Sequence, residues 1–149
     1  MRSLIFAAAL LVSACAQTQA EPPSAPAQVD VSTLPLHIRE DLAQRDAALA
    51  APGVVAAGLG DTADLGAGLS VRPIDVLEDS RCPQNARCVW AGRLRLRVAV
   101  GGAVIEMSDD GGAVQTDHGA FELVAISPGP WTDWPDNQRT PYRFGFKRA

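Results

Sequence analysis

Ala91-Gly92-Arg93-Leu94-Arg95-Leu96-Arg97-Val98-Ala99-Val100-Gly101-Gly102-Ala103-Val104-Ile105-Glu106-Met107 is the stretch that decides the fold. Arg93, Arg95 and Arg97 alternate with Leu94, Leu96 and Val98, the period of two of a strand with one face buried and the other in water. Gly101-Gly102 reads as a tight hairpin turn, because glycine accepts the positive φ angles such a turn requires. Residues 103–107 then return as the neighbouring strand.

The same grammar continues on both sides. Residues 54–59, 69–77, 121–127 and 141–147 are short apolar or extended runs, and Asp109-Asp110-Gly111-Gly112 is another turn. Pro73 inside the second of these runs marks an edge strand or a bulge, because it cannot donate to a ladder. Strands at this spacing, with glycine turns and no helices between them, predict a mainly β domain over residues 53–149. Its form is a small antiparallel β-sandwich, or a barrel. Ahead of it, residues 30–52 form a helical segment. Ile38, Leu42 and Leu49 recur at roughly helical spacing within 36–50, Pro35 suits the first turn, and Pro52-Gly53 stops the run.

The N-terminus speaks about location. Arg2 precedes an apolar run from Leu4 to Val12, followed by small residues ending in Cys15. That is the charged, apolar and small-residue order of a secretory signal, and the run is half the ~20 residues a membrane-spanning helix needs. Val12-Ser13-Ala14-Cys15 resembles the lipobox of bacterial lipoproteins. The resemblance implies that residues 1–14 are a signal peptide, that Cys15 is lipidated, and that the mature chain begins there. The protein is then lipid-anchored in the cell envelope, on the outer membrane facing the periplasm. Its partners are the membrane, through the anchor, and an envelope protein or a glycan. Residues 15–29 have three prolines and no large apolar residue before Val29, the composition of a tether.

Charge and cysteines narrow the remaining classes. The net charge is −4 over 149 residues, and −5 once Arg2 is removed with the signal. An acidic chain without a basic cluster argues against nucleic acid as a partner, and against charge attraction to an anionic membrane. With Cys15 assigned to lipid, Cys82 and Cys88 remain as an even pair in an exported protein, where a disulfide is the expectation. The competing metal reading is weak, because the spacing is C-x5-C and the nearest histidine, His118, is far along the chain. No metal or other cofactor is called for.

Asp79-Ser80-Arg81-Cys82-Pro83 with Cys88-Val89-Trp90-Ala91-Gly92 resembles a DSRCP…CVWAG signature of small secreted or lipid-anchored bacterial domains of uncharacterised function. A weaker likeness runs from about residue 65 to 146. It implies a small β-sandwich-like domain with the cysteine pair bridged. On this reading the string is a corner: the bridge closes the loop, and Trp90 enters the core beside it. Asp79 and Arg81 can pair there as an exposed ion pair contributing under about 1 kcal/mol.

Two surfaces are candidates for binding. Arg93, Arg95 and Arg97 place three cations on one strand face, able to receive an anionic group, or else paired with acids on neighbouring strands. Trp131 and Trp134 lie in a proline-containing loop, as an aromatic platform or folded back as a cap on the sandwich. No G-x-S-x-G, H-E-x-x-H or P-loop pattern occurs, and neither His37 nor His118 falls in such a pattern. The expectation is therefore a non-catalytic envelope protein with a binding or structural role. The alternative is a small inhibitor of an exported hydrolase, a lysozyme or a protease. An enzyme comes last.

Overall fold

A computed structural model describes residues 29–149. The signal segment, Cys15 and residues 16–28 of the tether lie outside the described residues. Among those described, one α-helix, α1 (Leu36–Leu49), precedes eight strands. The strands are β1 (Val55–Gly58), β2 (Ala63–Asp64), β3 (Ser70–Asp79), β4 (Leu94–Val100), β5 (Ala103–Ser108), β6 (Val114–Thr116), β7 (Gly119–Ser127) and β8 (Arg143–Arg148).

They form two four-stranded antiparallel sheets, ordered β1-β8-β7-β6 and β2-β3-β4-β5. The expected sandwich is what the chain builds, and the sheets do not close into a barrel. The alternation in β4 does the work assigned to it. Leu94, Leu96, Val98 and Val100 are buried while the arginines between them stay at the surface. These four meet Phe121, Phe144 and Phe146 of the other sheet in one core cluster. Phe121 and Phe146 pack edge to face with ring centroids 6.2 Å apart, a favoured aromatic geometry. Val100 pairs with Ala103 across Gly101 (φ 56°) and Gly102 (φ 85°), the two-residue hairpin the glycines called for. Pro73 sits where β3 has run past its short partner β2, next to a register shift between Pro73 and Asp75. It is thus beyond the β2 ladder, where its carbonyl accepts the Gly60 N–H at 2.8 Å and no donor is asked of it, and beside a bulge, a place where a strand tolerates proline.

α1 forms a third layer. It packs on β7 and β8, over the outer face of their sheet. A close approach is possible because β8 carries glycine there: a Cβ at Gly145 would lie 2.8 Å from Val54 Cγ1 and 3.1 Å from Leu49 Cδ2. Ile38, Leu42 and Leu49 are its buried residues, as the spacing implied. Arg45 ties the layers together, bonding Asp41 at 2.8 Å and donating to the Ile126 carbonyl at 2.9 Å.

Candidate binding site at the disulfide loop

The ladder between β3 and β4 ends at Asp79 and Leu94, and residues 80–93 continue beyond it as a long hairpin loop. Its base is braced by backbone bonds, Ser80 N–H to Arg93 O at 2.9 Å and Cys82 N–H to Ala91 O at 2.8 Å. Cys82 and Cys88 form the expected disulfide, with Cα atoms 5.9 Å apart. Gly92 explains itself. Its φ is +64°, and a Cβ there would overlap the Ser80 carbonyl, so this crossing of the two loop arms admits only glycine.

Asp79 and Arg81 do more than an exposed pair would. Arg81 Nε and Nη2 reach the two Asp79 oxygens at 2.8 and 2.7 Å, a bidentate fork, and the side chains are only 12% and 19% exposed. The Asp79 backbone is open to solvent, whereas its carboxylate is shielded. Arg81 also donates to the Pro128 carbonyl at 3.1 Å, and Tyr142 donates its hydroxyl to Asp79 Oδ2 at 2.7 Å. Partial burial pushes the Asp79 carboxyl up, but the hydrogen bonds from Arg81 and Tyr142 and the Arg81 charge outweigh it and hold the group below its ordinary value. Burial likewise opposes the Arg81 charge, and Asp79 more than restores it. Burial, then the bond to Asp79, pushes Tyr142 up to about 12. The three groups are one knot joining β3, the loop and the approach to β8.

Trp90 does not do what the sequence suggested. The residue is 67% exposed and Val89 beside it is wholly exposed. The physical reason is that β4 begins at Leu94, not at residue 91. The inward position at the start of the strand is taken by Leu94, and Trp90 is left four residues out on the loop.

The tryptophan loop reverses in the opposite sense. Trp134 is 4% exposed, packed with Leu34, Ile38 and Leu42, and its indole N–H donates to the Gln138 carbonyl at 2.9 Å. Trp131 is half-buried on the same cluster and donates to Asp41 at 3.2 Å. The pair is the folded-back cap, between α1 and the end of the sandwich. It is not an open platform, because a helix with three buried residues supplies too small an apolar face unless the two indoles complete it. His37 packs tilted against Trp131 with ring centroids 4.7 Å apart and meets Asp133 at 3.0 Å. The disulfide loop reaches the same place: Gln84 N–H bonds Pro130 O at 2.9 Å, Asn85 Nδ2 bonds Asp133 at 3.0 Å, and Thr132 N–H returns to Asn85 at 3.1 Å.

The arginine stripe is solvated and paired. Arg93 and Arg95 both lie 3.7 Å from Glu78, Arg95 contacts Glu106 at 2.6 Å, and Arg97 reaches Asp75 at 3.2 Å and Glu106 at 3.8 Å. As a binding surface it would have to exchange these partners for a ligand. Under the stapled loop lies a cleft of about 340 Å³, lined by Arg45, Arg81, Gln84, Asp109 and Pro130 among others. Its charged groups hold the chain together: the two arginines grip carbonyls at Ile126 and Pro128, and Asp109 accepts the Leu94 N–H at 2.9 Å. Sequence reasoning missed the exposed Val89–Trp90 tip, since a tryptophan beside a bridged cysteine ordinarily reads as core. Against known proteins, the chain matches no family model, no curated protein and no solved structure.

Proposed function

We propose that this is a non-catalytic, lipid-anchored cell-envelope protein whose sandwich serves a binding or structural role through the disulfide loop. One observation carries the reading. The described residues present their most exposed apolar pair, Val89 and Trp90, on a loop made stiff by a disulfide, the Asp79–Arg81 fork and the docking of Gln84 and Asn85. A rigid loop loses little entropy on binding, and exposed tryptophan is the residue type that dominates binding surfaces. The perturbed groups Asp79, Arg81 and Tyr142 face one another, in the manner of a structural knot. The envelope placement rests on the lipobox resemblance at Cys15.

The test compares the native tagged protein with Cys15→Ser. Acylation of Cys15 by mass, with movement of Cys15→Ser from the membrane to the soluble fraction, supports the anchor; an unmodified Cys15 ends it. Crosslinking in intact envelopes that depends on Trp90 supports binding through the loop, whereas capture identical for Trp90→Ala removes the loop from that role. A stiff projecting loop also suits a small inhibitor of an exported lysozyme or protease, and no inhibition across a panel of both would sink that second reading.

A further inference from the structure

Val31, Leu36, Val89 and Trp90 are four of the eight large apolar side chains left exposed among the described residues. They belong to two segments that grip one loop. The start of α1 holds residues 130–134 through Leu34 just ahead of the helix, packed with Trp134, and through His37 in its first turn, paired with Asp133. The disulfide loop holds the same residues through Gln84 and Asn85. Asp133 thus bonds both His37 and Asn85, so the start of α1, seven residues after Val29, and the disulfide loop that carries Val89 and Trp90 meet at one loop.

Trp90 also differs from the other two tryptophans in its polar atom. Trp131 and Trp134 donate their indole N–H groups inside the fold, whereas that of Trp90 meets no acceptor among the described residues. Arg87, on the same loop, is exposed and has no carboxylate within ion-pair distance among those residues. An amphipathic ring with a free N–H, an aliphatic neighbour and an unpaired guanidinium suit the boundary between acyl chains and phosphates.

Fourteen residue steps from Cys15 to Val29 span at most about 50 Å, which keeps the domain near the bilayer but does not orient it. We propose that the Val89–Trp90 tip seats in the headgroup region of the bilayer that holds the anchor and turns the disulfide loop toward it. The inference rests on the lipidation of Cys15 for its geometry. The contact is apolar insertion rather than charge attraction, in keeping with the net charge of −5 once Arg2 is removed with the signal.

Lipidated full chain, reconstituted in phosphatidylethanolamine–phosphatidylglycerol vesicles with brominated acyl chains, is the direct test. Tryptophan fluorescence of the wild type is quenched, Trp90→Phe loses most of that quenching, and Trp131→Phe keeps it. Vesicle-bound wild type that is unquenched, or quenched equally in Trp90→Phe, overturns the proposal. So does a Trp90 that crosslinks to an envelope protein instead of lipid. The mass of Cys15 separates failure of the anchor from failure of the tip. If Cys15 proves unmodified, the Cys15→Ser chain added to the same vesicles still reads the tip. Association that is insensitive to salt and about tenfold weaker for Trp90→Ala supports the contact, the ratio expected for losing one large apolar side chain; no association ends it.

Discussion

Trp134→Ala separates cap from platform, and its cost follows from the packing. The indole is 4% exposed among Leu34, Ile38, Leu42 and Trp131, and its N–H satisfies the Gln138 carbonyl. Truncating a buried tryptophan costs about 3–5 kcal/mol through lost transfer and the cavity left behind. A fold of ~120 residues has about 6–18 kcal/mol in all, so the loss is a large share of it. In urea, with a slope near 2 kcal/mol per molar, the midpoint falls by about 2 M. The cluster lies apart from the sandwich core and is what holds the front of α1. A 14-residue helix is marginal alone in water, so its circular-dichroism signal is expected to fade ahead of the β signal. Trp90→Ala is the control, within about 0.5 kcal/mol of wild type because its ring leaves no cavity. Equal and small losses at both positions, or a larger loss at Trp90, would refute this assignment of inside and outside.

Tyr142 is the sole tyrosine of the chain, so tyrosinate absorbance reads it alone. With its folded value pushed up to about 12, the native protein shows only about a tenth of the phenolate signal at pH 11, while the urea-unfolded chain titrates near 10. Because the folded value is the higher, the stability Tyr142 contributes is present below about pH 10 and lost as pH rises toward 12. Tyr142→Phe removes that alkaline slope, and a native titration near 10 would break the link to Asp79. On the acid side Asp79 is held low, so its contribution is present above 3.8 and fades as pH falls through the depressed value; Asp79→Asn flattens that limb. Replacing both Cys82 and Cys88 by serine costs about 2–2.5 kcal/mol for so short a loop, and an intact mass unchanged by reductant would end the bridge. Gly92→Ala costs at least about 2 kcal/mol, since the left-handed backbone and the overlap with Ser80 add together. Gly102→Ala, equally left-handed but in open space, costs about 1 kcal/mol; equal losses at the two would show that the crossing at Ser80 is not tight.

The β architecture was legible because it rests on local signals. Alternation over residues 93–98, the Gly101-Gly102 turn and the misplaced Pro73 each report a backbone geometry that neighbours in sequence dictate. The helix was legible in position, but not in its dependence on the two indoles, a contact between residues some hundred positions apart. The Trp90 assignment turned on where a strand begins. Three residues of difference at the start of β4 put Leu94 inside and leave Trp90 outside. Likewise Asp79 and Arg81 read as a local pair, while the Pro128 carbonyl and the Tyr142 hydroxyl that shield them come from far along the chain. Composition carries no trace of such partners.

The residues of the disulfide loop then sort into two sets. Asp79, Ser80, Arg81, Cys82, Cys88 and Gly92 each have a bond, a bridge or a backbone angle that closes the corner. Val89 and Trp90 have none, though they sit between them. An exposed valine–tryptophan pair contributes nothing to the fold it stands on and invites aggregation. It stands on a loop braced by the disulfide, the Asp79–Arg81 fork and the bonds of Gln84 and Asn85, and a loop braced only for stability would have no need of an apolar tip. Bracing does matter to a side chain that must meet something outside: it fixes the direction of the tip relative to α1, and so relative to the point where the chain arrives from Cys15. Loosening the brace without touching the tip is therefore expected to weaken whatever contact Trp90 makes. Asn85→Ala removes two of the bonds to residues 132–133 while leaving the disulfide and Trp90 in place. In reconstituted vesicles it should quench less than wild type with stability nearly unchanged. Quenching equal to wild type would mean that the tip finds its site without being aimed.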